Sequence, residues 1–173
     1  VKFDGKDLEI RINKASNQPR YQIAYLLPIQ LVEPKSYRLL DSGPQIRREF
    51  IDCGVFNDNE NFLPIWRQFK IALNQRNSLI KSKHLETLEV WDQEFLNYGT
   101  MIADYRDDYI TRLAPIFNQI INEFLDFDTF KLIHLPGWDK AKGLKTSLTE
   151  DLEKDLRYGF TQSGPHRCDL KVL

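Results

Sequence analysis

The spacing of apolar positions divides the chain into three regions. From Val1 to about Pro34 the period is strand-like: Phe3, Leu8, Ile10 and Ile12 alternate with polar residues. Asp4-Gly5 is a candidate hairpin turn and Asn17-Gln18-Pro19 a loop. The run from Tyr25 to Val32 predicts a buried strand interrupted by Pro28. From Lys35 to about Asp126 the period is helical. A short helix is expected over Ser36–Leu40, closed by Asp41-Ser42-Gly43, with Pro44 at the first position of the next helix. A further helix begins near Asn61, where Phe62, Trp66, Phe69, Leu73 and Ile80 share one face. The most sustained pattern runs Leu88, Trp91, Phe95, Tyr98, Ile102, Tyr105, Tyr109, Leu113, Ile116, Ile120, Phe124, in steps of three or four. It predicts one long helix of roughly 50–60 Å, or two joined at Pro115, where a bend is expected. The two seams predict a long antiparallel helix pair.

From about Phe127 the strand period returns. Phe130–Leu135 reads as a strand and Pro136-Gly137 as a turn. Ser147 with Glu150 has capping-box spacing for a short helix marked by Leu148, Leu152 and Leu156, which Gly159 can close. The tail from Phe160 to Leu173 reads as strand. The expected fold class is α+β or α/β, with 1–34 and 127–173 supplying strands and 35–126 a helical arm inserted between them. The lack of an initiator Met and the strand-like ends predict a piece of something larger.

Composition narrows the classes. Lys and Arg number 24 and Asp and Glu 25 in 173 residues, which excludes a globally basic nucleic-acid wrapper, so DNA binding would need a local patch. The 12% aromatic content excludes a disordered chain. Cys53 and Cys168 form no CxxC pair, and reduced thiols in a cytoplasmic protein are the simple reading. Neither a signal peptide nor a membrane span is recognisable. No phosphate loop, GxSxG or HExxH occurs, and His84, His134 and His166 lack metal-ligand spacing. Asp107-Asp108 and Glu150-Asp151 are helix neighbours that point about 100° apart, as solvated faces do.

One stretch suggests a partner. Arg67, Lys70, Arg76, Lys81 and Lys83 occur between Asn61 and His84 with no Asp or Glu among them. Arg67, Lys70 and Lys81 fall within roughly 60° on a helix, off the apolar seam, and such a stripe can hold phosphates. A solvated face balanced by acidic neighbours is the alternative. Arg76 lies nearer the apolar side, where it could cover the core or pair with a carboxylate.

Several strings resemble the RecF family of bacterial recombination and gap-repair proteins. Pro34-Lys35-Ser36-Tyr37-Arg38-Leu39-Leu40-Asp41-Ser42-Gly43-Pro44-Gln45-Ile46-Arg47-Arg48-Glu49-Phe50-Ile51-Asp52 resembles the family signature. Gly54-Val55-Phe56, Leu73-Asn74-Gln75-Arg76-Asn77-Ser78-Leu79, Trp91-Asp92-Gln93-Glu94, Arg112-Leu113-Ala114-Pro115 and Gly164-Pro165-His166-Arg167-Cys168-Asp169-Leu170 follow in family order. Lys35, Ser42 and Asn57 depart from the usual residues. The resemblance implies the middle of a protein similar to the ATPase heads of SMC and Rad50 proteins: a helical arm, or lid, between strands of an ABC-type head. It implies ATP and Mg in the intact protein, ATP-dependent homodimerisation, slow DNA-dependent hydrolysis, binding of duplex beside single-stranded gaps, and work with RecO and RecR in loading recombinase. The Walker A, signature and Walker B segments are absent from this chain, so no catalysis and no cofactor are expected of it alone. Gln30 holds the position of a Q-loop glutamine, or is a polar strand end. Arg47 and Arg48, with Arg67, Lys70, Arg76 and Lys81, are the candidate DNA contacts. For Arg47 and Arg48, pairing with Asp41, Glu49 or Asp52 is the alternative. A helical scaffold that docks a recombination-mediator partner without touching DNA is the competing reading.

Overall fold

The computed structural model describes the chain apart from Val1, Asp4, Lys6, Asp7, Asn17, Gln18, Gln30, Val32 and residues 126–129. The expected Asp4-Gly5 turn, the Asn17-Gln18 loop, the Asp126/Phe127 boundary and Gln30 therefore lie wholly or partly outside the described residues. Residues 1–36 form one compact unit and 37–173 another.

In the first unit, β1 (Lys2–Phe3) pairs antiparallel with β2 (Leu8–Glu9), and α1 covers Arg20–Leu26. Among the described residues of Tyr25–Val32 the expected strand is not found. Tyr25 and Leu26 end α1, and Leu26, Leu27, Ile29 and Leu31 are exposed. A short apolar run is ambiguous between helix and strand by periodicity alone, and Pro28 lets a helix end just before it.

The second unit carries the core. A 3₁₀ turn at Pro34–Tyr37 leads into α2 (Arg38–Asp41). Then α3 (Pro44–Asp58) starts with proline at its first turn, as expected. It is followed by α4 (Phe62–Ser82) and the 35-residue α5 (Leu88–Asn122). Lys83 closes α4 in the left-handed conformation, at φ 59°. Three cross-contacts show that α4 and α5 run antiparallel. Phe62 meets Tyr105 with ring centroids 6.2 Å apart, Phe69 meets Phe95 at 5.1 Å, and Arg76 meets Asp92 at 2.7 Å. As one residue number rises, its partner falls.

α5 continues through Pro115 as a single helix. Its seam is covered only in part. Phe95, Ile102 and Ile110 are buried, but Ile116, Ile120 and Phe124 lie exposed beyond the proline. The third layer comes from the C-terminal segment. β3 (Leu132–Leu135) and β4 (Asp169–Val172) form an antiparallel ribbon in the register Leu132↔Val172 to Leu135↔Asp169. Both strands pack on the helices. Between them come α6 (Gly143–Glu150) and α7 (Leu152–Tyr158), closed by Gly159 in the left-handed conformation. The expected capping box does not form. Ser147 lies inside α6, buried, and Leu148 and Leu152 belong to different helices. Of the tail, only Asp169–Val172 is strand; Pro165–Arg167 is a 3₁₀ turn.

α3 and α5 approach closely at Gly54. A Cβ there would overlap the end of the Tyr109 ring, so any side chain at this position requires Tyr109 to move.

Candidate functional site

The sequence-predicted arginines divide into those turned inward and those left outside. Arg47, on α3, makes a forked contact with Asp169 at the start of β4: Nε donates at 2.6 Å and Nη2 at 3.1 Å. Its Nη1 donates to the Ser42 carbonyl at 2.7 Å. The Asp169 carboxyl is partly buried, which would raise its pKa, but the Arg47 fork, the Leu170 N–H and the charges of Arg47 and Arg48 together hold it below the usual range. Arg47 therefore fastens α3 to β4, and its partner is Asp169, not the nearby Asp41, Glu49 or Asp52.

Arg48, one residue on, is half-buried and donates from Nη1 to the Cys168 carbonyl at 2.9 Å. No ion pair holds it to a carboxylate among the described residues. Arg106, which sequence reasoning passed over, is 3% exposed on α5. It grips Asp52 through Nε at 2.8 Å and Nη2 at 3.0 Å, while Nη1 donates to the Pro165 carbonyl at 2.8 Å. The Trp66 indole N–H also donates to Asp52, at 3.2 Å.

Arg76 is placed in the interior, with no exposed surface. Its Nε donates to Asp92 at 2.7 Å, and its Nη1 donates to Asp155 at 2.6 Å and to Thr161 Oγ1 at 2.7 Å. This corrects its inclusion among the DNA contacts: the guanidinium has no surface to offer a phosphate. The pairing alternative holds, and the apolar-side placement on α4 explains it. The next residue, Asn77, accepts from the Thr161 backbone N–H and hydroxyl at 2.8 and 2.7 Å. The Thr161 carbonyl in turn accepts from His166 Nε2 at 2.9 Å. The α4 motif thus builds the loop that carries Gly164-Pro165-His166-Arg167. Gly164 adopts φ 143° with the Phe95 ring 2.4 Å from where a Cβ would stand, a conformation and clearance that glycine alone meets.

His166 donates through Nε2, so its Nδ1 carries the lone pair. That atom is buried without a partner. Burial, with Arg167, Lys70 and Arg48 nearby, pushes the His166 pKa down to about 4, so the ring is neutral at pH 7. The side chains of Arg48, Lys70 and His166 line one cleft of about 250 Å³, together with Gln45, Glu49, Asp52, Trp66, Phe69 and Arg106.

Outside, Arg67, Lys70 and Lys81 are exposed on α4. Lys70 lies over the Trp66 ring, 5.3 Å from its centroid. Arg67 and Lys81 are about 21 Å apart along the helix axis. The exposed residues between them, Gln68, Lys70, Ile71, Asn74, Gln75 and Ser78, include no acid. Gln30 lies outside the described residues. Among the described residues no cluster of His, Cys, Asp and Glu could hold a metal ion, and no helix is long and apolar enough to cross a membrane.

Asp52, Asn77, Asp92, Asp155, Thr161 and Asp169 are the positions whose roles the sequence did not disclose. Four of them, Asp52, Asn77, Asp92 and Asp169, stand inside the motif strings, but only Asn77 is a neighbour of the arginine it supports; Asp52, Asp92 and Asp169 bind arginines 54, 16 and 122 residues away. Asp155 and Thr161 lie in no such string.

No family model matches the chain. The DNA replication and repair protein RecF of Pseudomonas putida strain W619 is 39% identical over 168 residues, which is 96% of this chain and 46% of the relative. RecF of Pseudomonas fluorescens strain SBW25 is 38% identical over 170 residues, again covering 46% of its length. Among solved structures, the recombination mediator protein RecF of the RecFOR pathway, with ATPrS, superposes with a TM-score of 0.86 at 26% identity. It matches 95% of this chain and 48% of that one. The same protein with ATP gives 0.85 at 27% identity. The fold is a helix-rich α+β segment like the matching part of these RecF structures. Over nearly its whole length the chain is similar to RecF proteins, and it spans about half the length of the relatives it matches.

Proposed function

We propose that this segment is the helical arm of a RecF-type recombination and gap-repair protein, and that the outer face of α4 meets the DNA backbone. One observation carries the reading. The buried side of α4 takes Arg76 inward to Asp92 and Asp155, and leaves Arg67, Lys70 and Lys81 outside on a face with no acidic residue. A one-signed face of that length attracts phosphates by counterion release and reads no sequence. In the intact bacterial protein, ATP and Mg bound by the other half would close a homodimer on duplex DNA beside a single-stranded gap. RecO and RecR would then act with it in loading recombinase. The solved relatives with ATPrS and ATP, described as part of the RecFOR pathway, support that expectation. Alone, this half would contribute DNA-contacting surface and no catalysis.

A second reading rests on α5. Ile116, Ile120 and Phe124 recur every fourth residue and are 55%, 52% and 79% exposed, an apolar face suited to a protein partner such as a recombination mediator.

Fluorescence anisotropy with a gapped duplex at two salt concentrations separates the two. On the DNA reading, Arg67→Glu/Lys70→Glu/Lys81→Glu weakens binding more than tenfold and lowers the slope of log affinity against log salt by about 2–3. Salt-sensitive binding that survives the triple substitution removes DNA from this face. No binding by the parent chain at low salt moves the partner-docking reading ahead.

A further inference from the structure

The cleft beside α4 contains a guanidinium, Arg48, that forms no ion pair among the described residues; a carboxylate its charge acts on, Asp169, is forked by Arg47. Arg48 is half-buried in the cleft wall and spends one N–H on the Cys168 carbonyl. A cation partly withdrawn from water is normally paired, because desolvation disfavours it unless another charge compensates. The other charged groups around Arg48 are already committed. Asp52 is taken by both Arg106 and Trp66. Glu49 accepts from Gln45 Nε2 at 2.9 Å. Lys70, across the cleft, lies over the Trp66 ring and forms no ion pair with a carboxylate among the described residues. Once Arg106 is set against Asp52, the lining keeps Arg48 and Lys70 against Glu49, a single net positive charge.

Charge and shape narrow the ligand. A single net charge suits a singly ionised phosphodiester better than a dianionic terminal phosphate. The cleft, at about 250 Å³, is several times the ~30 Å³ that one liquid water occupies, so a phosphate group fits. A stacked base does not suit it. The Trp66 ring is covered by Lys70 and its N–H is used, and Phe69 is 2% exposed. Base-stacking sites need an open aromatic face.

We propose that this cleft is the seat for one DNA backbone phosphodiester, held between the unused guanidinium nitrogens of Arg48 and the Lys70 ammonium. It rests on the reading that α4 meets DNA, and adds a fixed point to an otherwise diffuse face. An anion seated there would oppose the positive potential that Lys70, Arg48 and Arg167 impose on His166, so that ring reports occupancy.

The test compares Arg48→Gln, Arg48→Lys and Arg67→Glu/Lys81→Glu in anisotropy titrations with a gapped duplex, and follows the His166 ring by NMR. A seat predicts roughly tenfold weaker binding for Arg48→Gln and a salt slope lower by about 1. Arg48→Lys should restore the slope, because the charge returns. DNA should raise the His166 pKa in the parent chain and in Arg67→Glu/Lys81→Glu, but not in Arg48→Gln. Parent binding with an unchanged slope in Arg48→Gln overturns the seat and leaves the face standing. No DNA binding by the parent overturns both. A loss in Arg48→Gln that Arg48→Lys does not restore, with an unmoved His166, also overturns the seat and makes Arg48 a strut for the Cys168 carbonyl.

Discussion

His166 shows how much one residue's surroundings decide. Its Nε2–H is spent on Thr161, its Nδ1 is enclosed, and three cations stand near it. The folded pKa of about 4 lies below the ordinary 6.5, so between those values the unfolded chain binds the proton more readily. His166 therefore favours the folded state fully above about pH 6.5, and that contribution is lost as pH falls toward 4. The upper bound is about 3 kcal/mol. His134 is also held below its ordinary value, by burial first, with the same sign. Urea unfolding at pH 7.5, 6 and 5 should show falling stability, and His166→Gln should flatten the curve without abolishing it. A slope identical in the variant would show that His166 is not the group responsible. Carboxylates held low by partners, such as Asp169 by Arg47, act only below about pH 4. The identity of His166 was legible as part of a motif. Its neutral state was not, because that state depends on a lid of residues from α3, α4 and the 165–167 turn.

At the scale of elements, the periodic helices could be read directly from the sequence. α4 and α5 begin within a residue of Asn61 and at Leu88, where the pattern begins, since a stripe every three or four residues has only one regular backbone that buries it. Short apolar runs were not readable in this way, and Tyr25–Val32 is the example. The packing of α3 on α5 adds a requirement that periodicity does not express. Tyr109 fills the space a side chain at position 54 would need. Gly54→Ala should cost about 1–3 kcal/mol despite alanine's better helix propensity, as overpacking does. A denaturation midpoint equal to or above that of the parent would mean that Tyr109 swings aside without loss.

At the scale of the whole molecule, the division between residues 1–36 and 37–173 has a consequence for stability. The ion-pair networks of Arg47, Arg76 and Arg106, and the core around Phe95 and Ile102, lie entirely in the second unit. A chain beginning at Tyr37 should unfold in one cooperative transition, with a midpoint within a few degrees of the parent's by calorimetry. Loss of cooperativity would show that the first unit completes the core.

The sequence by itself determined the long helices α4 and α5, the proline start of α3, the glycine close of α7, the near-neutral balance of charge and the basic stripe on α4. These follow from local backbone rules and from the solvation of residues along a single element. Tertiary structure alone decided which arginines face outward. Arg47, Arg76 and Arg106 look like surface cations until Asp169, Asp155 and Asp52 arrive from other parts of the chain, 122, 79 and 54 residues away. A guanidinium has the same charge wherever it stands. Its role depends on whether folding brings it a carboxylate, and that pairing is set by the packing of α3, α4 and α5 on the C-terminal segment.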